Sequence, residues 1–145
     1  MPERPIWTIP VTLDGLNMLG VGSLAEHLGI VFTEVGPDFL RATMPVDHRT
    51  HQPLGLLHGG ASVALAETLG SAAGMCCVDP DRQSVVGLEI NANHIRALRD
   101  GVVTGTARPI HRGRTTQVWE IRIEDAEARL VSISRLTLAV IEHNP

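Results

Sequence analysis

The sequence contains no lysine. Its positive charge comes from twelve arginines, set against sixteen acids, for a net charge of −4. That balance argues against a general nucleic-acid surface, and 3% aromatic content leaves few rings for stacking single strands. Where anions are bound, each cation offers a planar guanidinium fork rather than a point charge. Cysteine is nearly absent as well. Cys76 and Cys77 are the whole complement, and adjacent residues close no useful loop, so both read as reduced, buried thiols. No basic-then-apolar segment opens the chain, and no apolar run reaches membrane-spanning length without charges. The expectation is a soluble cytoplasmic protein with no membrane partner. A Gly-x-Ser-x-Gly elbow is missing, which argues against an α/β-hydrolase route. His48, His51 and His58 are poorly spaced for metal binding, so no metal is expected.

What is present is a chain of 145 residues with 43% hydrophobic and 19% charged content, the composition of an ordered globular domain. Residues 1–145 read as one domain, at a size where dimerisation helps to bury surface. Its centre is residues 59–75, small or aliphatic on all faces, the pattern of a helix enclosed by other structure. Glu67 interrupts it. A lone carboxylate in a dry core costs several kcal/mol, on the order of magnitude, unless it is paired, protonated or facing a cleft. Such a residue is a candidate for chemistry.

Gly59 and Gly60 open this helix directly after His58, where free N–H groups receive negative charge and no side chain blocks a ligand. At about 1.5 Å of rise per residue, Glu67 lies roughly 10 to 12 Å further along the axis. That is too far for both to act on one carbonyl of one chain. Two copies with antiparallel helices bring the Glu67 of one to the helix start of the other. Ser71 stands one turn beyond Glu67 on the same face, in reach of a carboxylate or a water.

The flanking elements follow from periodicity. Residues 1–11, rich in proline, read as an extended arm. Thr12 and Ser23 read as helix caps, with Ser23 to Glu26 at capping-box spacing, Leu24, His27 and Leu28 on one face, and Gly29 as terminator. Strands are expected at 30–35 and 38–46, with Leu40, Ala42 and Met44 alternating against Arg41 and Thr43. A polar loop over 47–57 carries Gln52 into the helix. Four more strands are expected at 84–97, 101–111, 114–124 and 129–141, with Trp119, Ile121 and Ile123 opposite Val118 and Glu120. The sum is an α+β chain, one antiparallel sheet wrapped around one long helix.

Gln52, Leu57-His58-Gly59-Gly60-Ala61-Ser62, Glu67 and Ser71, with Met44-Pro45-Val46-Asp47, Val86 to His94 and Gln117-Val118-Trp119, together carry a family pattern. The chain resembles the hotdog-fold acyl-CoA thioesterases from Thr12 to about Ile141. Within them it is similar to the Glu-dependent branch that includes 4-hydroxybenzoyl-CoA thioesterase and the phenylacetate, menaquinone and enterobactin enzymes. His-Gly-Gly alone would say little; the whole set at this spacing is specific. The resemblance implies that Glu67 attacks the thioester carbonyl or activates water, and that the Gly59 N–H polarises the thioester oxygen. It also implies that Gln52 and His58 place substrate or nucleophile, that Ser71 supports the water or acid, and that active sites lie at a dimer interface. A dimer or a dimer of dimers is expected. A thioester needs no cofactor, because a thiolate leaves readily.

Each assignment has a plainer counterpart. Glu67 is otherwise paired with an arginine across an interface, His58 caps the helix, Gln52 satisfies loop backbone, and Ser71 packs. Asn93 and His94 are substrate-contact candidates at the end of an alternating strand, and Gly60 and Ala72 leave room for ligand. Between Ile90 and Arg114 lie Arg96, Arg99, Arg108, Arg112 and Arg114 with one acid, Asp100, a local charge of +4. That cluster suits the phosphates of CoA, with a solvated sheet edge as the alternative. The substrate read here is an aromatic or medium-chain acyl-CoA. The alternatives are a thioester on a carrier protein, a hydratase or dehydratase of acyl thioesters, and a non-catalytic acyl-CoA binding module.

Overall fold

The computed structural model describes residues 4–143; positions 1–3 of the expected arm lie outside them. In chain order the elements are α1 (Leu13–Leu19), α2 (Leu24–His27), β1 (Val31–Val35), β2 (Leu40–Pro45), α3 (Gly59–Met75), β3 (Gln83–His94), β4 (Val102–Arg112), β5 (Thr116–Glu124) and β6 (Leu130–Glu142). The six strands form one sheet in the order β1-β2-β4-β5-β6-β3, with every neighbouring pair antiparallel. This is the expected hotdog arrangement of a sheet around one long helix.

The alternation read in the sequence decides which face is covered. Leu40, Ala42 and Met44 of β2, Val103 and Ala107 of β4, Trp119, Ile121 and Ile123 of β5, and Leu136 and Leu138 of β6 are buried. They meet Leu65, Leu69 and Ala73 of α3, all fully buried. Each such side chain contributes about 1.5–3 kcal/mol by leaving water. Gly70 and Gly74 let α3 press close to β6: a Cβ on either would stand 2.5 Å from a methyl carbon of Leu136 or Leu138.

Four details differ from the sequence reading. First, α3 is not enclosed on all faces. Val63, Ala64, Glu67, Thr68, Ser71, Ala72 and Met75 form a half-buried stripe along its outer side. Apolar residues at helical spacing do not distinguish burial within one chain from burial between chains. Second, Ser23 caps α2 by accepting from the Ala25 N–H, but the Glu26 carboxylate accepts from Gly22 rather than from Ser23, so the box is not closed. In α2 Ala25 and Leu28 pack inward, while Leu24 is 61% exposed.

Third, β3 pairs with β6 and not with β4, so the strands expected at 84–97 and 101–111 are not neighbours and residues 95–101 form a crossover. The crossover passes the start of α3, where Leu98 accepts from the Leu57 N–H and Arg99 from His51. The strand expected to reach residue 97 stops at His94, because Ile95 and Arg96 both turn their N–H groups to the Val131 carbonyl. Fourth, β3 carries a bulge between Gly87 and Glu89, with Leu88 unpaired. A bulge inserts one residue and reverses the alternation beyond it. Val85 and Gly87 face α3 before it, and Ile90, Ala92 and His94 face α3 after it, opposite Leu136, Ser134 and Ser132.

Residues 4–11 run along the body. Thr8 donates its N–H to the Cys76 carbonyl at 2.9 Å and its hydroxyl to Val78 at 2.8 Å, covering carbonyls just past α3. Trp7 stacks on Trp119 at 6.5 Å and donates its indole N–H to Gly36.

Candidate active site at the start of the long helix

The loop before α3 is held by short-range hydrogen bonds. Buried Thr50 donates its hydroxyl to Pro45 at 2.7 Å and accepts the His58 N–H on its carbonyl at 2.8 Å. The Arg49 guanidinium binds the Asp47 carboxylate at 2.7 Å and, by that hydrogen bond above all, holds it down to about 2. Gln52 closes the tip: its side-chain oxygen accepts the Leu54 N–H and its N–H reaches Leu56. The plainer reading of Gln52 is therefore met by its oxygen, and its amide nitrogen is left for other partners.

His58 is the N-cap of α3. Its Nδ1 accepts from the Gly60 N–H at 2.8 Å, and its carbonyl receives the N–H groups of Ala61 and Ser62. The Gly59 N–H has no acceptor among the described residues. It opens on a cavity of about 310 Å³ lined by Gln52, Gly59, Ser62, His94 and Arg96 among others. His94 leans over the helix start: its Nε2 lies 2.7 Å from the point where a Cβ on Gly59 would stand, so a side chain there would have to push the imidazole aside.

Glu67 is elsewhere. It does not line that cavity, and it faces Gly87 of β3 from the half-buried stripe. The arginine ion pairs among the described residues go to Glu34, Asp38, Asp47, Asp125 and Glu127, and none reaches Glu67. Ser71 and Ala72 border a second, apolar cavity of about 300 Å³, walled by Leu16, Leu24 and Phe32 of α1, α2 and β1.

Of the residues singled out in the sequence, the fold thus unites Gln52, Gly59, His94 and Arg96, and groups Ser71 with Ala72. His58 and Gly60 are spent on each other and do not line the cavity. As the strand neighbour of His94, Asn93 points to the opposite face of the sheet, into a cleft of about 270 Å³ with Glu120 and Arg135.

The run of arginines is split by the fold. Strand β4 separates Arg99 from Arg112, and its eleven residues span roughly 35 Å at strand rise. Arg96 and Arg99 stay near the start of α3. Arg108 is bound to Asp38 on the outer face, and Arg112 lies beside Cys77 at the far end. Burial pushes the Cys77 thiol up against the pull of that guanidinium, and pushes the Cys76 thiol to about 11. Proximity in sequence within an extended strand is not proximity in space.

Ser62 and Gly87 were part of the family pattern but were given no role of their own. Ser62 lies three residues after Gly59 and so on the same helix face, a signal the sequence did carry. Gly87 depends on strand pairing and carried none. Among the described residues no group of three or more His, Cys, Asp or Glu is placed to hold a metal. No helix there is long and apolar enough to cross a membrane.

This fold, with an open helix N-terminus and an unpaired carboxylate on the same helix, matches known proteins. The profile of the thioesterase superfamily matches residues 54–132, and the chain belongs to that family. It is 56% identical to the proofreading thioesterase EntH of Cronobacter sakazakii over 136 residues, 94% of this chain and 98% of that one. It is 54% identical to the 1,4-dihydroxy-2-naphthoyl-CoA hydrolase of Escherichia coli, covering 94% of this chain and 99% of that one. The crystal structure of a mutant thioesterase from Pseudomonas aeruginosa superposes with a TM-score of 0.94 at 51% identity, covering 95% and 99% of the two chains. A thioesterase structure from Haemophilus influenzae gives 0.92 at 54% identity, covering 94% and 95%. The chain is a thioester hydrolase with a hotdog fold.

Proposed function

We propose that this protein hydrolyses aromatic, or else medium-chain, acyl-CoA to the free acid and CoA, in sites shared between two copies of the chain. The observation that carries this reading is the separation of two unpaired groups on one helix. The Gly59 N–H opens on one cavity, and the Glu67 carboxylate stands about two turns away on the half-buried stripe. Laid antiparallel against a second copy, the stripe is covered and each Glu67 meets the other chain's Gly59.

In that arrangement the thioester oxygen accepts from the Gly59 N–H, which stabilises the oxyanion as the carbonyl is attacked. Glu67 either adds to the carbonyl carbon itself or takes the proton of the water that does, with Ser71 beside it. The C–S bond breaks with its electron pair left on sulfur; in the direct route water then hydrolyses the acyl-glutamate anhydride, freeing the acid and Glu67, and in either route the thiolate takes up the proton that the water gives up. Gln52 and His94 place the thioester. Ala72 and the apolar cavity beside it receive the acyl group, and the naphthoyl-CoA named for the Escherichia coli relative supports an aromatic one.

The antiparallel pair also accounts for the divided arginines. It sets the far end of one α3, with Arg112 and Arg114, beside the near end of the other, with Arg96. Together they suit the CoA phosphates. We read the chain as one domain acting in the cytoplasm as a dimer or a dimer of dimers. Thiol release from a panel of aryl and aliphatic CoA esters tests the reading. Glu67→Ala is expected to leave a folded oligomer with turnover down at least about 100-fold, and near-normal hydrolysis by that variant refutes it.

A further inference from the structure

Strand β6 holds two serines, Ser132 and Ser134, whose hydroxyls are buried without a hydrogen-bond partner among the described residues. An unpaired buried hydroxyl costs about 1–3 kcal/mol, so each calls for an explanation. Both face α3, in line with buried Leu136 and Leu138. Ser134 lies opposite Ala92 and Ile121, which offer it no polar side chain. Ser132 lies opposite Ile123 on one side and His94 on the other. Directly opposite residues share a face, with Cβ atoms about 4.5–5.5 Å apart.

His94 turns Nε2 toward Gly59 and makes no hydrogen bond among the described residues. In an imidazole Nδ1 is bonded to Cγ, next to the residue's own Cβ, and the His94 Cβ shares a face with that of Ser132. A neutral ring carries one proton, so what Nδ1 accepts decides what Nε2 can give.

We propose that Ser132 is a positioning residue whose hydroxyl donates to Nδ1 of His94, holding the proton on Nε2 as a second donor beside the Gly59 N–H. This rests on the reading of Gly59 as the oxyanion donor. The two side chains are not within hydrogen-bond distance in the structure, and contacts of this kind tighten when substrate fills a site. The role gives a buried hydroxyl a purpose that packing does not.

The test is steady-state turnover of a CoA ester by Ser132→Ala, Ser132→Thr and Ser134→Ala, with ¹⁵N spectra of histidine-labelled protein. Ser132→Ala is expected to lower kcat about tenfold, less than loss of a whole oxyanion donor, with KM within about twofold. Ser132→Thr, which keeps the hydroxyl, restores it, and Ser134→Ala matches wild type. The wild-type spectrum, assigned with His94→Gln, shows the His94 proton on Nε2 when CoA is bound, and Ser132→Ala mixes the tautomers. Unchanged kcat in Ser132→Ala overturns the proposal. So does a wild-type His94 protonated on Nδ1, which stands even if Ser132→Ala does not fold. Failure of the underlying reading shows separately, as full turnover in Gly59→Pro, which removes that N–H at a first helical position that accepts proline.

Discussion

Oε1 of Glu67 lies 2.7 Å from the point where a Cβ on Gly87 would stand. The carboxylate of α3 thus occupies the space that a side chain on β3 would fill. Gly87→Ala must push it aside, and a displacement near 1 Å at a reacting group costs roughly 100-fold in rate. Circular dichroism and oligomeric state are expected to be unchanged while kcat falls. A variant at full activity would show that the position of this carboxylate does not matter.

A site built from two copies can be rebuilt from two inactive ones. Glu67→Ala lacks the carboxylate, and Gly59→Ala collides with His94, so each alone is expected to be inactive. Mixed and reassembled in equal amounts, half the dimers are hybrid, each with one intact site. About a quarter of wild-type activity should return. If mixing restores nothing although hybrids form, both groups act within one chain.

The arm is expected to matter for stability rather than for chemistry. Trp7→Ala removes the stack on Trp119 and the bond to Gly36, a loss of about 1–3 kcal/mol. For a chain of this size that lowers Tm by several degrees, at about 2–4 °C per kcal/mol. Turnover per folded molecule should hold, which calorimetry and kinetics on the same sample can check.

Acid is expected to loosen the loop before α3. In the folded chain the Asp47 carboxyl lies at about 2, below its ordinary 3.8, chiefly through its hydrogen bond from Arg49. A lowered carboxyl contributes stability that is complete above the ordinary value and lost as pH falls toward the folded one. Urea unfolding should separate wild type from Asp47→Asn at pH 6, and the gap should shrink toward pH 2. A constant gap would place the effect outside this carboxylate.

Arg112→Ala with Arg114→Ala is expected to raise KM for CoA esters several-fold at constant kcat. Pantetheine esters, which lack the nucleotide phosphates, should be unaffected. Equal effects on both would assign these arginines to stability instead of to CoA.

How much of this was legible beforehand follows from the range of each cause. The buried alternation in β2 and β5, the capping hydroxyls of Thr12 and Ser23, and the apolar run from Gly59 to Met75 are written within a few residues. Periods of two and of about 3.6 therefore placed all six strands and the long helix within a few residues of their ends. The distance from Gly59 to Glu67 is equally local. It is the feature on which the proposal of a site shared between two chains rests.

What the sequence by itself determined is thus which segments form helix or strand, which side of each is apolar, and which helix carries an open N-terminus and a lone carboxylate. The tertiary structure alone decided the rest. The Leu88 bulge turned His94 toward α3 and Asn93 away, the strand order made residues 95–101 a crossover, and β4 carried the arginines to opposite ends. Pairing between distant strands and the placing of a single extra residue are settled by packing over the whole sheet. No local pattern records them.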